Sequence, residues 1–251
     1  MISYIFNNVF FNPIYNGLVY LIDILPWVDM GVAVILITIA VKLIIFPLTK
    51  KSIQLQITQK KIEPELKKIK EKFKDNKEEQ ARKIMDLYRE NDLNPLSGIM
   101  IMIIQIPIIF ALYFVFLKGG LPEVNSELLY SFVKIPTEIH TLFIGLIDMT
   151  QKSLLLAILA GISQYIQIQL ILPKLDFKRN NGQKRDFKDD LTKSMHLQMK
   201  FVMPVIIIII SYNLPSAIAL YWITSNIFMI GQEMFVKRKM EEKQNGKILV
   251  N

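Results

Sequence analysis

The amino-acid sequence predicts an all-α membrane protein with five transmembrane helices, an outer N-terminus, a cytoplasmic C-terminus and a cytoplasmic helical hairpin. The 251 residues are 52% hydrophobic and carry a formal net charge of +8. This combination is typical of a membrane protein with basic soluble segments rather than of a single globular core. Apolar stretches long enough to cross a hydrocarbon core of roughly 30 Å also alternate with charged segments along the chain.

The N-terminal segment, residues 1–28, has neither the basic start of a secretory signal nor the Arg and Ser content of a transit peptide. We therefore expect it in the mature protein, on the outer side. Residues 13–25 are predicted to form a short amphipathic helix. The apolar residues at helical spacing are Ile14, Leu18, Leu21, Ile22 and Leu25. The pattern fits a helix lying on the membrane as well as one packed on the protein surface.

Five segments are predicted to cross the membrane, namely 29–49, 95–117, 153–172, 201–214 and 215–236. The fourth reaches only about 21 Å at about 1.5 Å per residue, so it requires local thinning of the bilayer or burial against its neighbours. It is separated from the fifth only by the turn-like sequence NLPS.

The distribution of Lys and Arg orients these segments. Residues 50–94 contain thirteen, residues 173–200 contain eight and residues 237–251 contain five, whereas residues 118–152 contain three and residues 201–236 contain none. By the positive-inside rule, the three richest segments are cytoplasmic. The 118–152 loop is therefore expected on the outer side.

The first cytoplasmic segment, residues 50–94, is predicted to form two amphipathic helices joined at an Asp75-Asn76 turn. The apolar residues that repeat three or four positions apart are Ile62, Leu66, Ile69, Phe73, Ala81, Ile84, Met85 and Tyr88. Nine acidic residues accompany the thirteen basic ones, which is not typical of a nucleic-acid footprint. The hairpin is either a link between two spans or a docking arm for a partner or for the anionic membrane surface.

The sequence lacks the motifs of most enzymes. It has no phosphate-binding glycine loop, no His-Glu-x-x-His, no nucleophile elbow and no zinc-ligand spacing. It also has no cysteine, which excludes disulfides and thiolate chemistry. We expect no enzyme, no metal site and no cofactor. His140 and His196 fall on opposite sides of the membrane in this topology, and each is interpreted as a surface residue.

An ion-coupled solute transporter is the alternative function, because a lone charge inside the membrane can mark a transport path. Such carriers usually place carboxylates near the midplane and are often built from internal repeats. Here Asp148 and Glu233 lie near the ends of spans, and five spans do not divide into matching halves. The transporter therefore fits the sequence less well.

Lys42 is the one basic residue inside a predicted span, in the stretch TIAVKLIIFPLTKK. A charge at the centre of a spanning helix costs about 3 kcal/mol on insertion scales, so a lysine there indicates a use. Lys42 lies roughly 12 Å along a helix from Lys50, and snorkelling of its ammonium toward the headgroups is one interpretation. Thr38 lies one turn deeper on the same face.

Other spans also carry polar side chains at depth, namely Gln105, Gln164, Gln167, Ser225 and Asn226. Taken singly, each is explained by a hydrogen bond to a neighbouring helix. Taken together, they would line a wet cavity in which Lys42 stays charged.

Five motifs in order give the chain a resemblance to a known family from about residue 12 onward. They are VKLIIFPLTKKS, KIEPELKKIKEKF, NPLSGIMIMIIQIPIIFALYFVF, FVMPVI and LPSAIALYWITSNIF. With them the sequence resembles the YidC family of membrane protein insertases, relatives of the mitochondrial Oxa and chloroplast Alb proteins.

The resemblance implies a five-helix core around a hydrophilic groove that opens to the cytoplasm and laterally to lipid and is closed on the outside. Lys42 falls where the family typically has a groove arginine, and this departure keeps the charge but loses the planar fork. The resemblance also implies that substrates leave between the third and fifth spans, where Tyr221 and Trp222 offer large apolar faces. Packing within the bundle or anchoring at the outer interface is the alternative for these two aromatic residues.

The function hypothesis is an insertase and chaperone, a multi-pass protein of the bacterial cytoplasmic membrane that places newly made transmembrane helices without covalent chemistry. Its expected partners are nascent membrane proteins, the ribosome and membrane lipids. The Sec translocon and the signal-recognition-particle receptor are further candidates. Direct sequence-specific binding of nucleic acid is not expected.

Overall fold

The protein is mostly helical, which confirms the predicted all-α class. The computed structural model describes residues 2–25, 27–91, 93, 97–171 and 197–248. The α-helices are, in chain order, α1 Ile2–Phe6, α2 Asn12–Ile24, α3 Met30–Ile44, α4 Phe46–Lys72, α5 Lys77–Glu90, α6 Ser97–Leu117, α7 Leu154–Ile171, α8 Met203–Asn213 and α9 Ser216–Ile248. Two π-helical stretches precede α2 and α8, Asn7–Phe11 and Gln198–Val202. The predicted loop 173–200, with His196, lies for the most part outside the described residues.

The chain divides into two compact units. Unit 1 consists of residues 1–43 and 106–230, and unit 2 consists of residues 44–105 and 231–251. Each unit has its own buried side chains and is described by itself.

The core of unit 1 is built from apolar faces of α2, α3, α6, α7 and α9. Helix α2 contributes Tyr15, Leu18 and Val19, which have no exposed surface. The segment predicted as an amphipathic helix therefore buries its apolar face within the protein. The exposed large apolar side chains of α7 and α8 in the described residues are Leu154, Leu155, Ile158, Leu159, Ile162, Ile166, Leu170, Met203, Val205, Ile206, Ile209, Ile210 and Tyr212.

Helices α7 and α8 pack closely at Gly161. A Cβ atom built on Gly161 would collide with the side chain of Ile208 and lie 3.0 Å from the carbonyl oxygen of Pro204. The missing side chain thus allows the backbone of α8 to approach α7. Small residues serve this role where helices meet in membranes.

Replacing Gly161 by alanine is expected to destabilise unit 1 by about 1–3 kcal/mol, because the methyl group forces apart a close contact. Gly231→Ala is the matched control, since a Cβ there meets nothing within 4 Å. In a helix interior that change is expected to stabilise by about 0.5–1 kcal/mol. Thermal unfolding in detergent measures both variants, and equal midpoints would contradict the packing role of Gly161.

The segment between α6 and α7 is held against α2 by two buried polar side chains. Tyr15 Oη donates to the carbonyl of Gly119 at 2.9 Å and accepts from the amide of Asn125 at 2.9 Å. Burial raises the pKa of the Tyr15 phenol, although the hydrogen bond with Asn125 opposes this. Asn16 Nδ2 donates to Leu128 O at 3.0 Å.

The same segment contains a short antiparallel hairpin, β1 Leu142–Phe143 and β2 Ile147–Asp148. It was not predicted from the sequence. The hairpin is joined to the starts of two helices: the Met30 amide donates to His140 O at 2.8 Å, and the Ala217 amide donates to Met149 O at 3.1 Å.

In unit 2, α4 and α5 pack on one another, as expected for a helical hairpin. Their buried apolar residues are Ile62 and Leu87, together with Leu93 beyond α5. Asn76 caps α5 by accepting from the Glu79 amide at 3.1 Å, which is a favoured arrangement at a helix start. The face of α5 differs from the predicted one, because Ala81 and Met85 are exposed.

The final part of α9 belongs to unit 2 and contacts α4. Gln232 Nε2 donates to Thr49 Oγ1, and the rings of Phe46 and Phe235 lie 6.3 Å apart. Helix α9 runs to Ile248 and so continues past the predicted end of the fifth span at residue 236.

Within the described part of the chain, no single helix is long and apolar enough to cross a membrane. The interrupted pair α3 and α4 meets that criterion together by length and composition. Shorter apolar helices are Gln105–Leu117, Leu154–Leu170 and Gln198–Asn213. The number and orientation of the five spans stay predictions.

Candidate functional site

The lysine that the sequence singled out is buried near the end of α3. Lys42 and Thr38 are each 2% exposed, and their spacing places them on one face of the helix. Thr38 Oγ1 donates to Val34 O at 2.6 Å, so its hydroxyl is satisfied within its own helix. Helix α3 ends two residues after Lys42, and Pro47 favours the break because it has no amide hydrogen to donate to the carbonyl of Leu43.

The polar residues of α7 and α9 meet at a buried hydrogen bond. Asn226 Nδ2 donates to Ser163 Oγ at 3.0 Å, and Ser163 Oγ donates to Ala160 O at 2.8 Å. Gln164 Nε2 donates to Gln167 Oε1 at 3.0 Å. Three of the predicted positions, Asn226, Gln164 and Gln167, therefore lie on the two helices that this hydrogen bond joins.

Burial of these groups is nearly complete. Gln167 is 8% exposed, Ser225 is 3% exposed and Asn226 is 4% exposed, whereas Gln164 is half-buried. Buried amides in apolar helices hydrogen-bond to neighbouring helices, and the bond between Asn226 and Ser163 is such a link.

Ser163 is a site residue that sequence reasoning missed. It is 8% exposed and is the acceptor for Asn226. Its spacing of four residues from Gln167 was a usable signal, because residues at i and i+4 share a helix face. A serine in an apolar helix gives a weaker pattern than an amide, since it can be satisfied by its own backbone.

Tyr221 and Trp222 are both buried in unit 1, at 1% and 7% exposure. Tyr221 lines a small pocket together with Thr38, and this pocket joins two predicted site residues on different helices. The other lining residues are Ile14, Ile37, Val41, Ile108 and Leu112. The pocket wall is apolar, since the Thr38 hydroxyl is bonded to Val34 O within its own helix.

Gln105 is placed in unit 2, as a half-buried residue of α6. The other predicted site residues belong to unit 1. The structure thus groups eight of the nine positions in unit 1 and places Gln105 in unit 2.

Charged groups gather where α4 and the end of α9 meet in unit 2. Lys237 Nζ lies 2.6 Å from Glu233 Oε1, and Glu233 is only 5% exposed. The pKa of the nearby Lys60 is lowered, first by burial and then by the positive charge of Lys237, while Glu233 opposes the shift. Glu233 therefore compensates two lysines at the base of the predicted cytoplasmic tail.

No group of three or more His, Cys, Asp or Glu side chains in the described ranges is arranged to hold a metal ion. His140 is an exposed residue beside Glu138. The chemistry available at the buried site is therefore that of amides, hydroxyls, aromatic rings and one lysine.

Comparison with known proteins gives one consistent family. The model of the 60Kd inner membrane protein family matches residues 22–244. The membrane protein insertase YidC of Fusobacterium nucleatum is 32% identical over 211 residues, covering 84% of this chain and 87% of the relative. The corresponding protein of Clostridium tetani is 32% identical over 222 residues, covering 88% and 87%. The corresponding protein of Syntrophobacter fumaroxidans is 33% identical over 234 residues. This alignment covers 91% of this chain but only 38% of that longer protein.

Proposed function

The chain belongs to the 60Kd inner membrane protein family, and we infer that it is a membrane protein insertase of the bacterial inner membrane. The observation that carries this conclusion is the family match over residues 22–244, supported by insertases of similar length at 32% identity. The ion-coupled transporter is not favoured by any of these relatives. Insertion of a helix needs no covalent step, so the protein works by binding and by lowering the free energy of transfer.

The exposed apolar faces of α7 and α8 support a multi-pass arrangement. Soluble monomers seldom expose contiguous apolar patches larger than a few hundred Å². The residues concerned include Leu154, Leu155, Ile158, Val205 and Ile209, each at least 40% exposed. Lipid tails are the natural environment for such a surface. We therefore retain the five spans, with the outer N-terminus and the cytoplasmic tail, as the topology of this proposal.

The proposed groove is lined by Lys42, Thr38 and the polar residues of α7 and α9. In this conformation the polar residues bond to one another, as in the pair Asn226 and Ser163. Separation of the helices would expose the same groups to water and to a polar segment of the substrate. The positive charge of Lys42 then lowers the cost of bringing an acidic segment into the membrane.

Insertion proceeds down two free-energy gradients. The apolar segment of the nascent chain gains the hydrophobic transfer energy when it leaves the groove for lipid. An acidic outer segment is driven outward by the membrane potential, by roughly 2.3 kcal/mol per charge at 100 mV. The exit path lies between α7 and α9, next to Gln167, Tyr221 and Trp222.

The α4–α5 hairpin and the basic end of α9 are the proposed docking elements for cytoplasmic partners. Both belong to unit 2, where Glu233 and Lys237 of α9 interact electrostatically with Lys60 of α4. The ribosome, the Sec translocon and the signal-recognition-particle receptor are the candidates. The mixed charge of the hairpin suits protein and lipid surfaces better than a nucleic acid.

A crosslinking experiment tests the insertase function and the exit path together. Photo-crosslinkers are placed separately at Gln167, Tyr221 and Trp222, because the two adjacent aromatics point about 100° apart on a helix. With a stalled nascent membrane protein, we expect Gln167 and at least one aromatic position to capture its transmembrane segment. Crosslinks confined to α3 and α6 would contradict the proposed exit path but not the insertase function. No crosslink anywhere, together with ion-coupled solute uptake by the purified protein, would favour the transporter.

Cysteine accessibility tests whether the groove is wet. The chain has no native cysteine, so Thr38, Gln105, Gln167 and Asn226 can each be replaced by cysteine without background. We expect a small polar thiol reagent added from the cytoplasmic side to modify them in native membranes. Val34→Cys, one turn further from Lys42 on α3 and without exposed surface, is the protected control. Uniform protection would show that the amides only hold the helices together.

A further inference from the structure

The turn that joins β1 and β2 presents apolar side chains outward from unit 1. Ile144 and Leu146 are 68% and 82% exposed, and Leu142 is 49% exposed. They alternate with Phe143 and Ile147, which are partly buried. Exposed turns normally carry Gly, Asn, Asp, Ser or Pro, so this composition indicates that the tip has an apolar environment.

The backbone conformation of the turn does not favour an isoleucine at position 144. Ile144 has a φ of 54° and Gly145 a φ of 71°. Positive φ at both central residues is the pattern of a type I′ turn, which favours Asn-Gly. A β-branched residue in this region is an outlier. The turn conformation therefore favours asparagine at position 144, and this chain has isoleucine there instead.

The tip is held rigidly on the start of α3. The Ile144 amide donates to Asp29 Oδ2 at 3.0 Å, while Asp29 Oδ1 accepts from the Val32 amide at 2.8 Å. The ring of Phe143 lies against Gly31, where any Cβ would collide with it. The carboxylate and the ring thus fix the direction in which Ile144 projects.

The other side of the hairpin is fixed to the start of α9. Ser216 Oγ lies within hydrogen-bond distance of Asp148 O and Gln151 O, at 2.5 and 2.7 Å. Ser216 has no exposed surface. The hairpin therefore connects the first residues of two helices that the proposed topology starts at the outer side.

The surroundings of the tip match a lipid surface. The exposed apolar side chains of α7 begin at Leu154, three residues after Gln151, whose carbonyl accepts a hydrogen bond from Ser216. Trp27 is 74% exposed and lies two residues before Asp29, and tryptophan is enriched at membrane interfaces. Asp148 is the single charged residue of 142–149. Its Oδ1 accepts from the amide and hydroxyl of Thr150 at 2.9 and 2.7 Å, so the carboxylate is hydrogen-bonded within the loop.

We propose that Ile144 and Leu146 insert into the boundary between headgroups and acyl chains of the outer leaflet and hold the starts of α3 and α9 at a fixed depth. The proposal rests on the proposed function and its outer placement of the 118–152 loop. A lipid surface is the occupant because residues 142–147 carry no charged side chain, the next helix along the chain exposes apolar residues from Leu154 onward, and the exposed Trp27 lies two residues before the Asp29 that binds the tip.

Fluorescence quenching in proteoliposomes of phosphatidylethanolamine and phosphatidylglycerol tests it. An environment-sensitive fluorophore is attached to Leu146→Cys, to the exposed loop position Glu138→Cys and to the α7 position Ile158→Cys. We expect lipids with a headgroup-proximal nitroxide to quench Leu146 at least twofold more than Glu138, and iodide to quench Glu138 at least twofold more than Leu146. Equal iodide quenching at Leu146 and Glu138 would overturn the proposal.

Two further outcomes separate the possible failures. Protection of Leu146 from both iodide and lipid nitroxide would mean that a protein covers the tip, and this also overturns the lipid assignment. If Ile158 is quenched by lipid and Leu146 is not, the hairpin proposal fails and the membrane topology stands. If neither Ile158 nor Leu146 is quenched by lipid, both the hairpin proposal and the proposed topology fail.

The variant Ile144→Asn separates membrane contact from folding. Asparagine suits the turn, so thermal stability in detergent is expected to be unchanged or higher. Lipid quenching of the fluorophore at Leu146 is nevertheless expected to fall by at least half. Unchanged quenching in this variant would show that Ile144 does not anchor the tip.

Discussion

Replacing Lys42 by methionine is expected to reduce insertion of substrates with acidic outer segments roughly tenfold, a loss of about 1.4 kcal/mol. Lys42→Arg is expected to retain insertion, and Lys42→Ala to behave like the methionine variant. The reason is electrostatic: two unit charges 4 Å apart interact by about 4 kcal/mol at an effective dielectric constant of 20, and part of this is offset by desolvation. Methionine keeps most of the apolar stem, so the comparison removes the charge with little loss of packing.

The measurement is insertion into native membranes at matched levels of the variant proteins, with one substrate that has an acidic outer segment and one whose outer segment is neutral. Lys152→Met, in the predicted outer loop, is the control for general loss of positive charge and should insert both normally. Wild-type insertion of the acidic substrate by Lys42→Met would show that the ammonium only reaches toward the headgroups. An equal loss for both substrates would assign Lys42 to stability of the site rather than to charge recognition.

The apolar helices could be located from the sequence because their length and hydrophobicity leave few alternatives. Residues 153–172 and 201–214 were expected as spans, and helices occupy Leu154–Ile171 and Met203–Asn213.

Helix ends were harder to predict where polar residues continue the helix. Helix α4 begins at Phe46, directly after the proline-dependent break, and runs to Lys72. The apolar repeat of the hairpin begins only at Ile62, because the first turns of α4 bury single residues such as Ile53. The basic tail after residue 236 likewise continues α9, since Lys, Arg, Glu and Gln are good helix formers.

The β-hairpin was missed because its sequence, LFIGLID, resembles an interrupted apolar run. Gly145 was the only turn signal, and Ile144 contradicts the residue preference of the turn. The hydrogen bond between Asn226 and Ser163 was missed for a different reason. Such a bond depends on how α7 and α9 are rotated about their axes. Polar residues at depth can be found in a sequence, but their partners are set by packing.

Replacing Asn16 by leucine is expected to destabilise unit 1 by roughly 3 kcal/mol. Asn16 is 2% exposed, and its amide satisfies two groups of the 118–152 segment: Nδ2 donates to Leu128 O at 3.0 Å, and Oδ1 accepts from the Tyr130 amide at 2.6 Å. Leucine leaves that amide and carbonyl without these bonds, and each buried unsatisfied group costs about 1–3 kcal/mol. Since leucine is a better helix former than asparagine, α2 itself is not weakened, and the loss must come from the contact between α2 and the 118–152 loop.

The apparent midpoint of thermal unfolding in detergent measures this loss, which corresponds to roughly 6–12 °C for a chain of this size. Tyr15→Phe should lower the midpoint by a smaller amount, because it removes only the hydroxyl shared by Gly119 and Asn125. Asn8→Leu is the matched control: Asn8 is exposed, and its side chain donates to Tyr4 O within the same N-terminal segment. If Asn8→Leu and Asn16→Leu lower the midpoint equally, the effect belongs to the N-terminal helix alone. A selective effect of Asn16 and Tyr15 would instead show that these two side chains hold the 118–152 segment, and with it the hairpin that joins α3 and α9.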